Sequence, residues 1–76
     1  MKYIIFEDFS GHSVPLLFPD RIRHEELREV IPYSKVVSAG YVSSLEGNYR
    51  CHGEAKELEA RSRPEDAEII AGHFRD

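Results

Sequence analysis

The chain contains no tryptophan, one cysteine and one methionine among its 76 residues. A lone cysteine excludes an intramolecular disulfide framework and fits a reducing compartment, so a cytoplasmic setting is expected. No apolar run nears the roughly 20 residues that a membrane-spanning helix needs, so no membrane partner is expected. The opening Met1-Lys2-Tyr3-Ile4-Ile5-Phe6-Glu7-Asp8 turns acidic too early for a secretory leader. A basic stripe is also missing. Lys and Arg total 10 against 14 Asp and Glu, a net charge of −4. Non-specific nucleic-acid binding depends on Lys and Arg neutralising phosphates. The densest positive cluster, Arg21, Arg23 and Arg28, is interleaved with Asp20, Glu25, Glu26 and Glu29. Direct nucleic-acid binding is therefore not expected. Gly11 and Gly47 sit in turn-like clusters and Gly40 and Gly53 stand alone, so no glycine-rich loop cradles a phosphate.

What remains is an ordinary globular mixture, 41% hydrophobic and 32% charged. The length suits one domain spanning residues 1–76. A chain this short buries only about 60% of the surface it exposes when unfolded, so the core must be thin. Four Phe and four Tyr supply its bulk.

Residues 2–9 are β-branched and aromatic and read as a strand. Tyr3, Ile4, Ile5 and Phe6 do not alternate, as expected of a strand that is central, or covered on both faces for part of its length. After the turn cluster Ser10-Gly11-His12-Ser13, a second strand over 14–18 places Val14, Leu16 and Phe18 on one face. Pro15 lacks a ladder donor, which assigns this strand to an edge. From His24 to Ile31 a helix is predicted, with Leu27, Val30 and Ile31 as its apolar stripe and Pro32 as its stop.

Residues 35–44 read as a third strand, in which Gly40 signals a bulge or a close approach by another group. Glu46-Gly47-Asn48 is a hairpin turn, and a fourth strand follows from Tyr49 to about Leu58. Ser62-Arg63-Pro64-Glu65 then has the spacing of a reciprocal capping box with Pro in the first turn. The helix it opens runs to about Phe74, with Ala67, Ile70, Ala71 and Phe74 inward and Glu65, Asp66 and Glu68 facing solvent. The order is ββαββα. The expected class is α+β, a four-stranded, mainly antiparallel sheet with both helices packed on one face.

No grouping of side chains prescribes a reaction. Cys51 and His52 are neighbours on a strand and so point to opposite faces, which suits a small core thiol and a surface imidazole. His12, His24, His52 and His73 lack the close spacing of metal ligands, and His73 suits the C-terminal end of a helix dipole. Glu7-Asp8, Glu25-Glu26 and Glu65-Asp66 read as solvated pairs or first-turn acids. No catalytic residue, cofactor or metal is expected.

Phe6-Glu7-Asp8, Leu17-Phe18-Pro19, Val37-Ser38-Ala39-Gly40-Tyr41-Val42 and Ser62-Arg63-Pro64-Glu65-Asp66 together resemble a group of small uncharacterised proteins of phage and prophage genomes. The resemblance spans nearly the whole chain. It departs after Gly53, where that group favours small polar residues and this chain has Glu54, Ala55, Lys56 and Glu57. The resemblance implies a viral accessory setting, in which a small protein works by binding a host or phage protein. With both helices on one side, Glu25, Glu26, Glu29, Glu65, Asp66 and Glu68 would form one negative surface. The expected function is then a non-enzymatic protein–protein contact, in its sharpest form an acidic, anti-CRISPR-like inhibitor of a host nucleic-acid-binding or defence complex. A structural or assembly role, including a homodimer, and a small enzyme subunit are the alternatives.

Overall fold

Four consecutive residues, Tyr3, Ile4, Ile5 and Phe6, are completely buried. Neighbouring strand residues point to opposite faces, so the first strand must be covered on both. The computed structural model, which describes residues 1–32 and 35–74, shows how. Strands β1 (Lys2–Glu7), β2 (Ser13–Phe18), β3 (Lys35–Leu45) and β4 (Asn48–His52) form an antiparallel sheet in the order β2-β1-β3-β4. Helix α1 (His24–Val30) links β2 to β3. Beyond β4, a two-stranded ribbon, β5 (Glu54–Ala55) and β6 (Ala60–Arg61), is joined by a 3₁₀ turn over Lys56–Leu58 and leads to helix α2 (Asp66–Phe74). The class is α+β, as the sequence indicates.

The placement of the helices differs from the expectation. On one face Ile4, Phe6, Phe18 and Ala39 pack with Leu27 of α1, with Ile31 after it, and with Ala55, Leu58 and Ala60 of the ribbon region. On the other, Tyr3, Ile5 and Val42 pack with Ile69 and Ile70 of α2. The two helices therefore lie on opposite faces rather than sharing one. The cause is the apolar run in β1, which offers Ile4 and Phe6 to one side and Tyr3 and Ile5 to the other. Each fully buried side chain of this size contributes about 1.5–3 kcal/mol, and a single layer of helices would leave half of that unused.

Bonds at the two ends of β1 set the phase of the sheet. Asp8 N–H donates to the His12 carbonyl at 2.9 Å and Val42 N–H to the Met1 carbonyl at 2.8 Å. Alternation from these points turns the backbone of Pro15, opposite Ile5, away from β1. A proline there costs no ladder bond, which explains its place in an edge strand. In β3 a one-residue bulge falls at Val37, since Ile5 pairs with Ser38 and Phe6 with Val36. The bulge lets consecutive residues face α2: Val37 joins its cluster and Ser38 reaches its first turn.

Gly40 marks a close approach and not the bulge. A Cβ there would lie 2.6 Å from the His52 carbonyl oxygen. The fourth strand also stops earlier than Leu58. Gly53 takes φ +80°, and a Cβ on it would meet the Tyr41 ring at 2.9 Å. The chain turns out of the ladder there and folds into the ribbon. Val30 is 74% exposed and Phe74 45% exposed, so neither belongs to the inward stripe expected of it.

Candidate functional site

Each helix begins with the same device, an arginine whose backbone is held by an acid three residues later. In α1, Glu26 accepts from Arg23 N–H at 3.2 Å and from Arg23 Nε at 3.1 Å. These bonds hold the Glu26 carboxyl below its ordinary range and raise the Arg23 guanidinium. In α2 the acid is Asp66, which accepts from Arg63 N–H at 2.8 Å and Arg63 Nε at 2.9 Å. The capping spacing expected for Ser62 and Glu65 is thus present one residue later, with Pro64 in the turn that leads into α2, where its missing N–H costs no helical bond. Ser62 N–H donates instead to the Gly53 carbonyl at 3.0 Å.

Asp66 does not face solvent. It is completely buried and takes two further bonds, from the Tyr3 hydroxyl at 2.6 Å and Ser38 Oγ at 3.0 Å. Four donors on two carboxylate oxygens offset the desolvation of a buried charge. Burial, followed by the bond to Asp66, raises the Tyr3 phenol far above its ordinary value. Burial also pushes the neighbouring Cys51 thiol up, which opposes formation of the reactive thiolate. The cluster clamps α2 to the sheet.

The remaining expected binding residues are dispersed. Glu25, Glu26 and Glu29 stand with α1 on one face, while Glu65 and Glu68 stand with α2 on the other. One negative surface is therefore not formed. Arg23 lies 3.8 Å from Glu25 as well as bonding Glu26, and Arg63 Nη1 lies 3.6 Å from Glu65, which further neutralises both groups. His24 is buried, with Nε2 2.9 Å from the Gly40 carbonyl and its ring edge-on to Phe18 and Tyr41. Because a carbonyl only accepts, Nε2 carries the proton. Among the described residues no three His, Cys, Asp or Glu side chains gather as metal ligands. No helix among them is long and apolar enough to cross a membrane.

The feature that the residue pattern did not reveal is the outer edge of β4. Leu45 and Asn48 flank a two-residue turn in which Glu46 and Gly47 take φ 52° and 83°, the left-handed pair that matches strand twist. Given the phase of the sheet, residues 41, 43 and 45 bond across to 52, 50 and 48, and the backbone groups of Tyr49 and Cys51 point outward. Among the described residues they have no backbone partner. Beside this edge a cleft of about 230 Å³ separates the hairpin from α2, lined by Gly47, Asn48, Tyr49, Ala67, Glu68 and Ala71. Ala67 and Ala71 belong to the stripe expected to be core; Ile70 of that stripe is fully buried as expected, but the helix is rolled so that Ile69 joins it in place of the two alanines. On the sheet's other face Arg50 is exposed and makes no ion pair among the described residues. Leu45, 76% exposed, caps the tip of the hairpin. The chain matches no family model, no curated protein and no solved structure.

Proposed function

We propose that the protein is a non-enzymatic binding module, a phage-type accessory protein that acts by contacting another protein through its β3–β4 hairpin and the free edge of β4. One observation carries this reading: among the described residues the backbone groups of Tyr49 and Cys51 on the edge strand have no backbone partner, and they lie beside a cleft walled by small side chains of α2. An uncovered edge is a template for pairing with another chain, and strand addition is a common mode of recognition between proteins. The acidic helix residues are poorer candidates, because they lie on opposite faces and are partly neutralised by arginine. A host protein is the partner class that the phage resemblance suggests.

Capture from bacterial lysate with three baits tests the proposal. The unaltered chain and a Glu25→Gln/Glu29→Gln variant are expected to retain the same partner, whereas Leu45→Asp is expected to lose it. Loss of the partner with the glutamine variant and its retention with Leu45→Asp would move the contact to α1 and overturn the proposed surface.

A further inference from the structure

Resting on the binding-module reading, the geometry points to a more specific occupant of this edge: an extended segment of a partner protein that adds antiparallel to β4, with a carboxylate directly opposite Arg50. Tyr49 and Cys51 supply the outward N–H and C=O groups of an antiparallel ladder, so the incoming strand bonds at those two positions. Arg50 between them then sits in a non-hydrogen-bonded pair, the arrangement in which facing side chains come closest, with Cα atoms about 4.5 Å apart. A guanidinium that has no ion pair among the described residues selects an acid as its neighbour at that spot.

The residues on either side of the acid point to the opposite face, towards α2. There they meet Ala67 and Ala71, with Glu68 on the rim. Small or medium apolar side chains fit this wall, and an acid there would face Glu68. The expected segment thus alternates neutral, acidic, neutral, with the charge on the Arg50 side alone.

A second copy of the chain is a worse occupant. The self-pairing that uses both outward residues is centred on position 50, and it sets Arg50 against Arg50 at the closest approach. Shifting by one residue in either direction brings in Gly47 or Gly53, both at positive φ, and loses half of the ladder. The Gly53 carbonyl is in any case occupied by Ser62 N–H.

Synthetic peptides test the inference on the intact chain. The probe is a capped heptapeptide of alternating valine and threonine with a central glutamate. Controls carry a central lysine, or move the glutamate by one position. The glutamate peptide is expected to bind with slowed amide exchange at Tyr49 and Cys51, and on the order of fivefold more tightly than the lysine peptide. The variant Arg50→Glu, at an exposed position, is expected to reverse that order. Equal binding of the three peptides, or protection at some other strand, overturns the inference. So does absence of any binding at millimolar peptide. If lysate capture still depends on Leu45 in those cases, the binding-module reading stands and only strand addition fails.

Discussion

At the residue scale, Asp66 decides the most. An acid in the first turn of a helix is ordinarily a solvated group that complements the dipole, yet here Tyr3, Ser38 and Arg63 converge on it. Asp66→Ala strands these donors and removes the capping acid. Breaking a buried charge pair costs about 3–5 kcal/mol, so urea denaturation is expected to show most of the stability gone. Tyr3→Phe removes one donor and is expected to cost about 1–3 kcal/mol. Its pH dependence is the sharper readout. The folded phenol holds its proton longer than the unfolded one, so the stability it contributes is complete below the ordinary value of 10.0 and falls as pH rises above it. Denaturation midpoints followed from pH 8 to 11 are expected to decline less steeply for Tyr3→Phe than for the unaltered chain. The sequence showed an arginine, a proline and two acids in a row, enough to place a helix start. Which acid is buried depends on Tyr3 and Ser38, 63 and 28 residues away, and local spacing carries no such information.

At the scale of elements, the strands were the more legible part. The unbroken apolar run of β1, Pro15 in β2 and the Glu46-Gly47 turn each follow from backbone chemistry that acts within a few residues. The fourth strand was not legible beyond His52, since alternation persists through Glu54 and Ala55 while Gly53 turns the chain away. Gly40 was readable as a crowded position, though not what crowds it. Its neighbour is the main chain at His52, which has little freedom to retreat. Gly40→Ala is therefore expected to cost about 1–3 kcal/mol, a fall of roughly 4–8 °C in Tm per kcal/mol for a domain of this size. Calorimetry of the variant measures it directly. Wild-type stability after Gly40→Ala would show that the end of β4 yields more readily than its packing against β3 implies.

For the whole molecule, the decisive fact is that both faces of one sheet are covered by elements from different parts of the chain. Composition fixed the thinness of the core but not this division, because the tally of apolar residues is the same for one covered face or two. The absence of polar alternation within Tyr3–Phe6 held the answer. Two side chains of that run had to face each way, and only a helix on each side buries both pairs. The acidic side chains of α1 and α2 were separated by the same arrangement, so a surface composed of all six acids was never available to the fold. The candidate edge, in contrast, depends on ladder phase, which emerges only when every strand is in register.

Pro15 gives the two margins of the sheet unequal capacities. Stacking of copies into a fibre would require the β4 margin of each molecule to dock on the β2 margin of the next, and the imide nitrogen at the middle of β2 offers that neighbour no hydrogen. Pro15 is also fully buried, so head-to-tail growth is opposed at its first step by cover as well as by the missing hydrogen, a safeguard for a chain that keeps its opposite margin available. Pro15→Val restores the hydrogen and is expected to weaken the safeguard, so that thioflavin fluorescence at high protein concentration rises for that variant while the native chain stays dark.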